Sequence, residues 1–223
     1  MLLIGLFYSQ DVRSQQSFHG WIASSHQQEL GGKWLALSDI QFRSGPDFRF
    51  LETILLRPAI GYKVSEKITV ASGYAYLGSW EEEDGNKNFE KEHRAWQHVE
   101  WEGKAGSALM SQRVRLEQRW LEAKKGYDFA QRLRYLLRFQ LPFNKTSDFR
   151  RGWYGAGQDE VFVNIQNKNK VNGHSFDQNR TFLSIGYRFS ANIDVEAGYL
   201  YRYQVEDRRM HHHIAQLMVT TSL

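Results

Sequence analysis

Arg113, Arg115, Glu117 and Arg119 hold alternate positions in one segment, and Arg132, Arg134 and Arg138 share a parity in the next. Guanidinium groups gathered on one surface do one of two things. They select anions through forked hydrogen bonds to oxyanions, or they pair with carboxylates and fix a structure. Glu117, Glu160, Asp194 and Glu196 are the carboxylates expected on the same side, with Glu100 a further candidate. Arg180 and Arg188 extend the set, because they fall opposite the apolar residues of their own segment.

Such a set needs a scaffold that presents it on one face. In 181–189, Thr181, Leu183, Ile185, Tyr187 and Phe189 fall on one side and Ser184 and Arg188 on the other. Side chains alternate across a β-strand, so the segment reads as a strand with one greasy and one polar surface. The pattern predicts strands over 18–29, 33–43, 50–63, 67–79, 94–102, 107–121, 128–141, 153–166, 178–189, 192–204 and 213–223. In 128–141, Phe129, Leu133, Leu136 and Leu137 also fit a helix. The strand reading is cleaner: it puts Phe129, Leu133, Tyr135, Leu137, Phe139 and Leu141 on one face and the arginines on the other.

Repeated over a chain with no long apolar run, this pattern predicts an all-β fold: a single antiparallel transmembrane β-barrel, apolar outside and polar within. A lipid-facing Arg at the bilayer midplane costs about 2–4 kcal/mol, so the arginines are expected in the lumen. Strand counts in bacterial barrels are even, which predicts twelve strands, with ten as the alternative. Short connections at Gly31-Gly32, 64–66, 103–106, 142–145 and 190–191 alternate with polar stretches at 80–93, 122–127, 167–177 and 205–212. Tight turns on one side and long loops on the other are how such barrels are built.

The 223 residues suit one domain, and the aromatic share of 14% with seven Trp fits membrane-interface girdles. The absence of cysteine excludes disulfides and thiolate chemistry. The 29 basic and 25 acidic residues are interspersed, without a basic tail, so no nucleic-acid partner is expected. Residues 2–7 resemble the end of a signal-peptide core. Residues 1–16 are therefore expected to be a truncated signal peptide or an N-terminal strand, and 17–223 the barrel.

Several other groups were weighed for chemistry. Asp177-Gln178-Asn179-Arg180 is expected to cap a strand and tie down the loop before it. His211, His212 and His213 alternate sides and are expected in a solvated loop, as is Glu81-Glu82-Glu83-Asp84-Gly85. Ser24, Ser25 and His26 with Asp39, and Ser107 and Ser111 with His98, are weak hydrolase pairings, and no Gly-x-Ser-x-Gly or His-Glu-x-x-His motif accompanies them. No catalytic residue, metal ligand or cofactor is assigned.

The segments Glu92-His93-Arg94-Ala95-Trp96-Gln97, Arg113 to Arg119, Arg132 to Tyr135, Asp159 to Asn164 and Phe176 to Arg180 occur in this order, then Gly186-Tyr187-Arg188 and Glu196 to Leu200. With them the chain resembles the uncharacterised bacterial outer-membrane β-barrel family known as domain of unknown function 2490, from about Trp21 to the C-terminus. The resemblance implies a location in the bacterial outer membrane, with lipid as partner, and a barrel fold, but no activity. Leu223 departs from the aromatic last residue usual in such barrels. From the residues themselves, the expected function is a narrow passive pore whose arginine-lined lumen favours small anionic solutes. The alternative is a non-conducting structural or interaction barrel closed by an Arg–Glu network. An outer-membrane hydrolase and a soluble lipocalin-like binder are the remaining classes.

Overall fold

The computed structural model describes residues 15–83, 86–144, 149–206 and 208–223. Among them are eleven strands: β1 (Gln15–Gly31), β2 (Trp34–Ser44), β3 (Leu51–Lys63), β4 (Ile68–Glu83), β5 (Asn86–Ala105), β6 (Ala108–Ala123), β7 (Gly126–Pro142), β8 (Gly152–Gln166), β9 (Phe176–Ser190), β10 (Ile193–Val205) and β11 (Arg209–Ser222). Alternation decides which way each one faces. On β9, Leu183 and Ile185 are 61% and 57% exposed on the outer surface, while Phe182 and Ser184 are buried inside.

The strands form one closed barrel in chain order, antiparallel throughout except at the seam. There β1 runs parallel to β11, with Trp21 opposite Gln216 and Ile22 opposite Leu217. The expected twelve strands, or ten, give way to eleven, because a single parallel seam lets an odd number of strands close. The expectation for 1–16 falls outside the described residues up to position 14, and Gln15 and Gln16 pair within β1.

The two rims differ less than the sequence suggested. The rim carrying Leu223 has tight turns at Gly32-Lys33 and Ala191-Asn192, but its β7–β8 connection runs from 143 to 151. The opposite rim, where β1 begins, has a two-residue turn at Lys124-Lys125 and longer connections at 45–50 and 167–175. The stretch 80–93 is a tall hairpin rather than a loop: Glu81 pairs with Asn88 and Glu83 with Asn86. Its residues are polar on both faces, which erases the alternation that marks a strand. Asp84 and Gly85 lie outside the described residues. At the first hairpin Gly31 and Gly32 take φ of 104° and 61°, a conformation that favours glycine over any residue with a Cβ.

The interior is not uniformly polar. Leu55, Ala71, Ala75, Leu77 and Trp96 form one buried apolar cluster, and Trp21, Phe182, Leu200 and Ile214 another. Between them the inward positions carry the charged groups.

Candidate functional site

One wall of the lumen, on β5 to β9, is a connected ion-pair network. Glu92 accepts forked hydrogen bonds from Arg94 (2.6 and 2.7 Å) and Arg119 (2.5 and 3.1 Å). Glu117, only 1% exposed, accepts from Arg132 at 2.7 and 3.0 Å and from Arg134 at 2.5 Å. Arg134 also donates to Glu160 at 2.8 Å, and Arg113 reaches the same carboxylate at 3.3 Å. Arg132 continues to Asp177 at 2.6 Å.

Register explains most of this wall. Glu117 is directly opposite Arg132, and Arg94 opposite Arg119, so each pair spans one inter-strand gap of about 4.8 Å. Asp177 arrives by a bulge. Phe162 pairs with Gln178 and Val163 with Phe176, which leaves Asp177 as the extra residue. The bulge turns both Asp177 and Gln178 into the interior, where each is buried. Asp177-Gln178-Asn179-Arg180 therefore lies within β9 and does not cap it, and Asp177 belongs to the arginine network.

Toward the Leu223 rim a second carboxylate is fully engaged. Glu196 pairs with Arg138 and accepts from the Tyr154 hydroxyl at 3.0 Å and the Ser184 hydroxyl at 2.8 Å. Arg188 forks onto Asp194, both bonds at 2.8 Å.

The other region of the lumen is built around Trp21 of β1, which is buried. The guanidinium carbons of Arg43 on β2, Arg180 on β9 and Arg202 on β10 lie 4.2, 5.2 and 5.7 Å from its ring centre. Among the described residues none of these three arginines has a carboxylate within ion-pair distance. Arg43 donates to the Gln41 side chain at 2.7 Å and Arg180 to the Gln178 side chain at 3.1 Å. The Nε of Arg43 and the Nε of Arg202 are buried without a hydrogen-bond partner. Glu52 lines the same cavity and makes no ion pair there.

Arg115 belongs to neither pattern. It sits directly opposite Arg134, which already takes Glu117 and Glu160. Arg115 instead stacks 4.3 Å over Trp96 and approaches His98 Nδ1 at 3.2 Å, with Nε and Nη1 unpartnered. Of the arginines expected on the same side as Glu117 and Glu160, Arg134 holds both carboxylates, Arg115 holds neither, and Arg138 lies with Glu196.

A cavity of about 1930 Å³ runs through the barrel. It is lined at one rim by Ser65, Glu66, Ala191 and Ser222 and at the other by Glu82, Lys170, Asn172 and Glu206. Arg113, Arg115, Arg119, Arg132, Arg134, Arg138, Arg180 and Arg188 all line it, as do Glu160, Asp194, Glu196 and Glu100. Glu117 is buried behind its arginines.

The remaining candidates resolve as structural contacts. His211 to His213 belong to β11, not to a loop. His213 bonds Tyr199 at 2.6 Å and His211 bonds Tyr201 at 2.5 Å, while the buried His212 meets Ser17 at 2.8 Å. His26 bonds Thr221 at 2.7 Å, and Asp39 accepts from Arg57 at 3.0 Å. Among the described residues no group of three His, Asp or Glu side chains is placed to hold a metal ion.

A family model described as "Protein of unknown function (DUF2490)" matches residues 18–211. The chain belongs to this family. An uncharacterized protein of Methylorubrum extorquens is 34% identical over 167 residues, covering 73% of this chain and 68% of that protein. Among solved structures, the NanC porin superposes with a TM-score of 0.55 at 12% identity, covering 92% of this chain and 98% of the porin. At that identity the likeness concerns the fold, and the DUF2490 chain is a porin-like β-barrel.

Sequence reading did not single out Arg43, Arg202 and Trp21 in this DUF2490 barrel. The parity signal was present: Trp21 pairs with Arg43 across the first hairpin, and Arg180 pairs with Arg202 between β9 and β10. What joins the two halves is the parallel seam, and no local pattern announces it. Glu92 and Arg94 share a face because β5 begins at Asn86, whereas the alternation in the sequence marks a strand only from 94.

Proposed function

We propose that this DUF2490 barrel spans the bacterial outer membrane as a narrow passive pore whose lumen favours small anionic solutes. The observation that carries the reading is the cavity lined at both rims, with Arg43, Arg115, Arg180 and Arg202 along it making no ion pair among the described residues. Fixed cationic groups along a water-filled path raise the local concentration of anions and disfavour cations.

The outer surface supports the membrane placement. Ile22, Ile60, Val99, Val114, Leu183 and Ile185 are exposed around the barrel. Aromatic pairs lie toward both ends: Phe176 with Tyr203 at one, and Trp34 with Tyr62 and Trp153 with Tyr187 at the other. At ~3.3 Å per residue and ~40° of tilt, Phe176 to Phe189 on β9 rises roughly 30 Å, which matches an apolar band of about 25 Å with its girdles. Outward polar side chains satisfy one another: Gln97 and Gln118 exchange amide bonds of 3.3 and 3.1 Å, and Asp159 accepts from Asn179 at 2.9 Å and Thr181 at 2.7 Å. Groups paired in this way tolerate an apolar surrounding.

One observation favours a second reading. The wall around Glu117 is as tightly satisfied as a structural core, so a non-conducting interaction barrel would also use it. Planar-bilayer recording of detergent-folded protein separates the two. The pore reading expects discrete currents and a reversal potential displaced toward the anion equilibrium potential in a salt gradient. Silence over many insertions would leave the interaction barrel. Heat-modifiable migration on gels checks the folded barrel, and a detergent-independent soluble monomer would overturn the membrane placement.

A further inference from the structure

The Trp21 cluster and the wall around Glu117 use the same residue type under opposite rules. In the wall, arginines share carboxylates: Arg94 and Arg119 share Glu92, and Arg132 and Arg134 share Glu117. Around Trp21, Arg43, Arg180 and Arg202 approach one indole from three strands, and among the described residues none of them makes an ion pair. Glu52 lines the same cavity, but three guanidinium groups repel one another, and holding them together without a carboxylate in contact costs stability.

We propose that this cluster is a binding site for a tetrahedral oxyanion of charge −2, either free phosphate or a phosphate monoester. The proposal rests on the reading of the lumen as accessible to anions, and goes beyond it by assigning a site and a ligand class. A carboxylate brings one charge and two oxygens: at Glu92 that serves Arg94 and Arg119, whereas Arg132 and Arg134 each take a second carboxylate besides Glu117. Three convergent forks need more acceptor oxygens and more charge, which a phosphate group supplies. The Nε of Arg43 and Nε of Arg202 are buried without a hydrogen-bond partner, so the protein does not saturate either guanidinium. The amides of Gln41 and Gln178 hold Arg43 and Arg180 in place without neutralising them. Trp21 gives the cations an apolar face to stack on and reports occupancy through its fluorescence.

The test is thermal unfolding and tryptophan fluorescence of detergent-folded protein, titrated with inorganic phosphate, glycerol phosphate and acetate at matched ionic strength. Ligand binding to the folded state raises the midpoint with the logarithm of one plus the ratio of free ligand to Kd. Phosphate and the monoester are expected to bind at least about tenfold tighter than acetate, a difference of one charged hydrogen-bonding group. Preference for the ester over free phosphate would show which of the two the site takes. Arg180→Gln and Arg202→Gln should each weaken phosphate binding about tenfold or more, and Arg202→Gln should raise the midpoint in phosphate-free buffer. Equal effects of acetate and phosphate, or unchanged affinity in both variants, would overturn the site. If neither variant folds, the wild-type preference for phosphate over acetate decides alone. Bilayer recording separates this from the pore reading: phosphate binding without current leaves the site and removes the pore, while anion current without phosphate preference does the reverse.

Discussion

The wall on β5 to β9 and the cluster around Trp21 line one cavity and meet at β9, where Arg180 lies opposite Glu160 in the strand register, and both are made of arginine. In the wall, Glu92, Glu117, Glu160 and Asp177 hold Arg94, Arg113, Arg119, Arg132 and Arg134. In the cluster, Arg43 and Arg180 have an amide each, all three arginines including Arg202 have the indole, and among the described residues none has a carboxylate within ion-pair distance. The difference separates two uses of the same side chain. A guanidinium whose partners are built in fixes strand register and is spent as a binding group. One whose partner is missing is a standing demand for an anion. Counting lumen arginines therefore overstates how much of this barrel can act on a solute.

The sharpest way to break the comparison is Glu117→Gln. Glu117 holds Arg132 and Arg134 in a site that water hardly reaches, so losing its charge leaves Arg132 with Asp177 alone and Arg134 with Glu160 alone, side by side. Removing one partner of a buried ion pair costs about 3–5 kcal/mol. A large fall in the unfolding midpoint of detergent-folded protein is expected, in contrast with the rise expected for Arg202→Gln. If both variants move stability the same way, the two regions are not different in kind. Glu160→Gln tests the same point at a more accessible carboxylate: stability falls if Arg113 and Arg134 depend on it, whereas an unchanged midpoint with stronger anion preference would place that part of the wall in open water.

How far these two regions could be read from the sequence follows from what holds each together. The wall depends on neighbouring strands, and alternation was enough to place Arg113, Arg115, Arg119, Arg132 and Arg134 on one surface. Pairing within it was harder, because the bulge at Asp177 shifts parity by one residue and the sequence carries no mark of it. The Trp21 cluster depends on β1 and β2 meeting β9 and β10 through the parallel seam with β11. Closure of that kind is a property of the whole barrel, and it also changed the strand count. Rim hairpins such as Glu81–Glu83 with Asn86–Asn88 escaped for a third reason: strands that rise above the apolar band no longer need an apolar face.

Gly198 offers a smaller perturbation that touches the cluster without altering charge. It pairs with Ser184, four residues along β10 from Arg202, which itself pairs with Arg180. A Cβ at Gly198 would collide with the Leu183 carbonyl oxygen and come within 2.7 Å of the Ser184 backbone. Gly198→Ala must push β10 away from β9, at about 1–3 kcal/mol for overpacking. Phosphate affinity should fall with it, since Arg180 and Arg202 are carried by the two displaced strands. Lost stability with unchanged phosphate binding would show that the cluster's spacing is not set by this strand pair.

The mildest expected effect is at Tyr154→Phe, and it asks which side of the comparison the Glu196 site belongs to. Glu196 has Arg138, the Ser184 hydroxyl and the Tyr154 hydroxyl as donors, the last at 3.0 Å. Tyr154 is fully buried, and its ring presses on Gly186 across the strand pair, so phenylalanine keeps the packing and removes only one donor. If Glu196 is a built-in counter-ion like Glu117, the charge stays compensated by Arg138, and the loss is at the low end of that for one hydrogen bond to a charged group, about 1.5 kcal/mol. A loss several times larger would mean that the Arg138 pair alone does not hold the carboxylate. A loss near zero, with Arg138 newly able to bind added acetate or phosphate, would instead move Arg138 into the group of arginines that await a ligand.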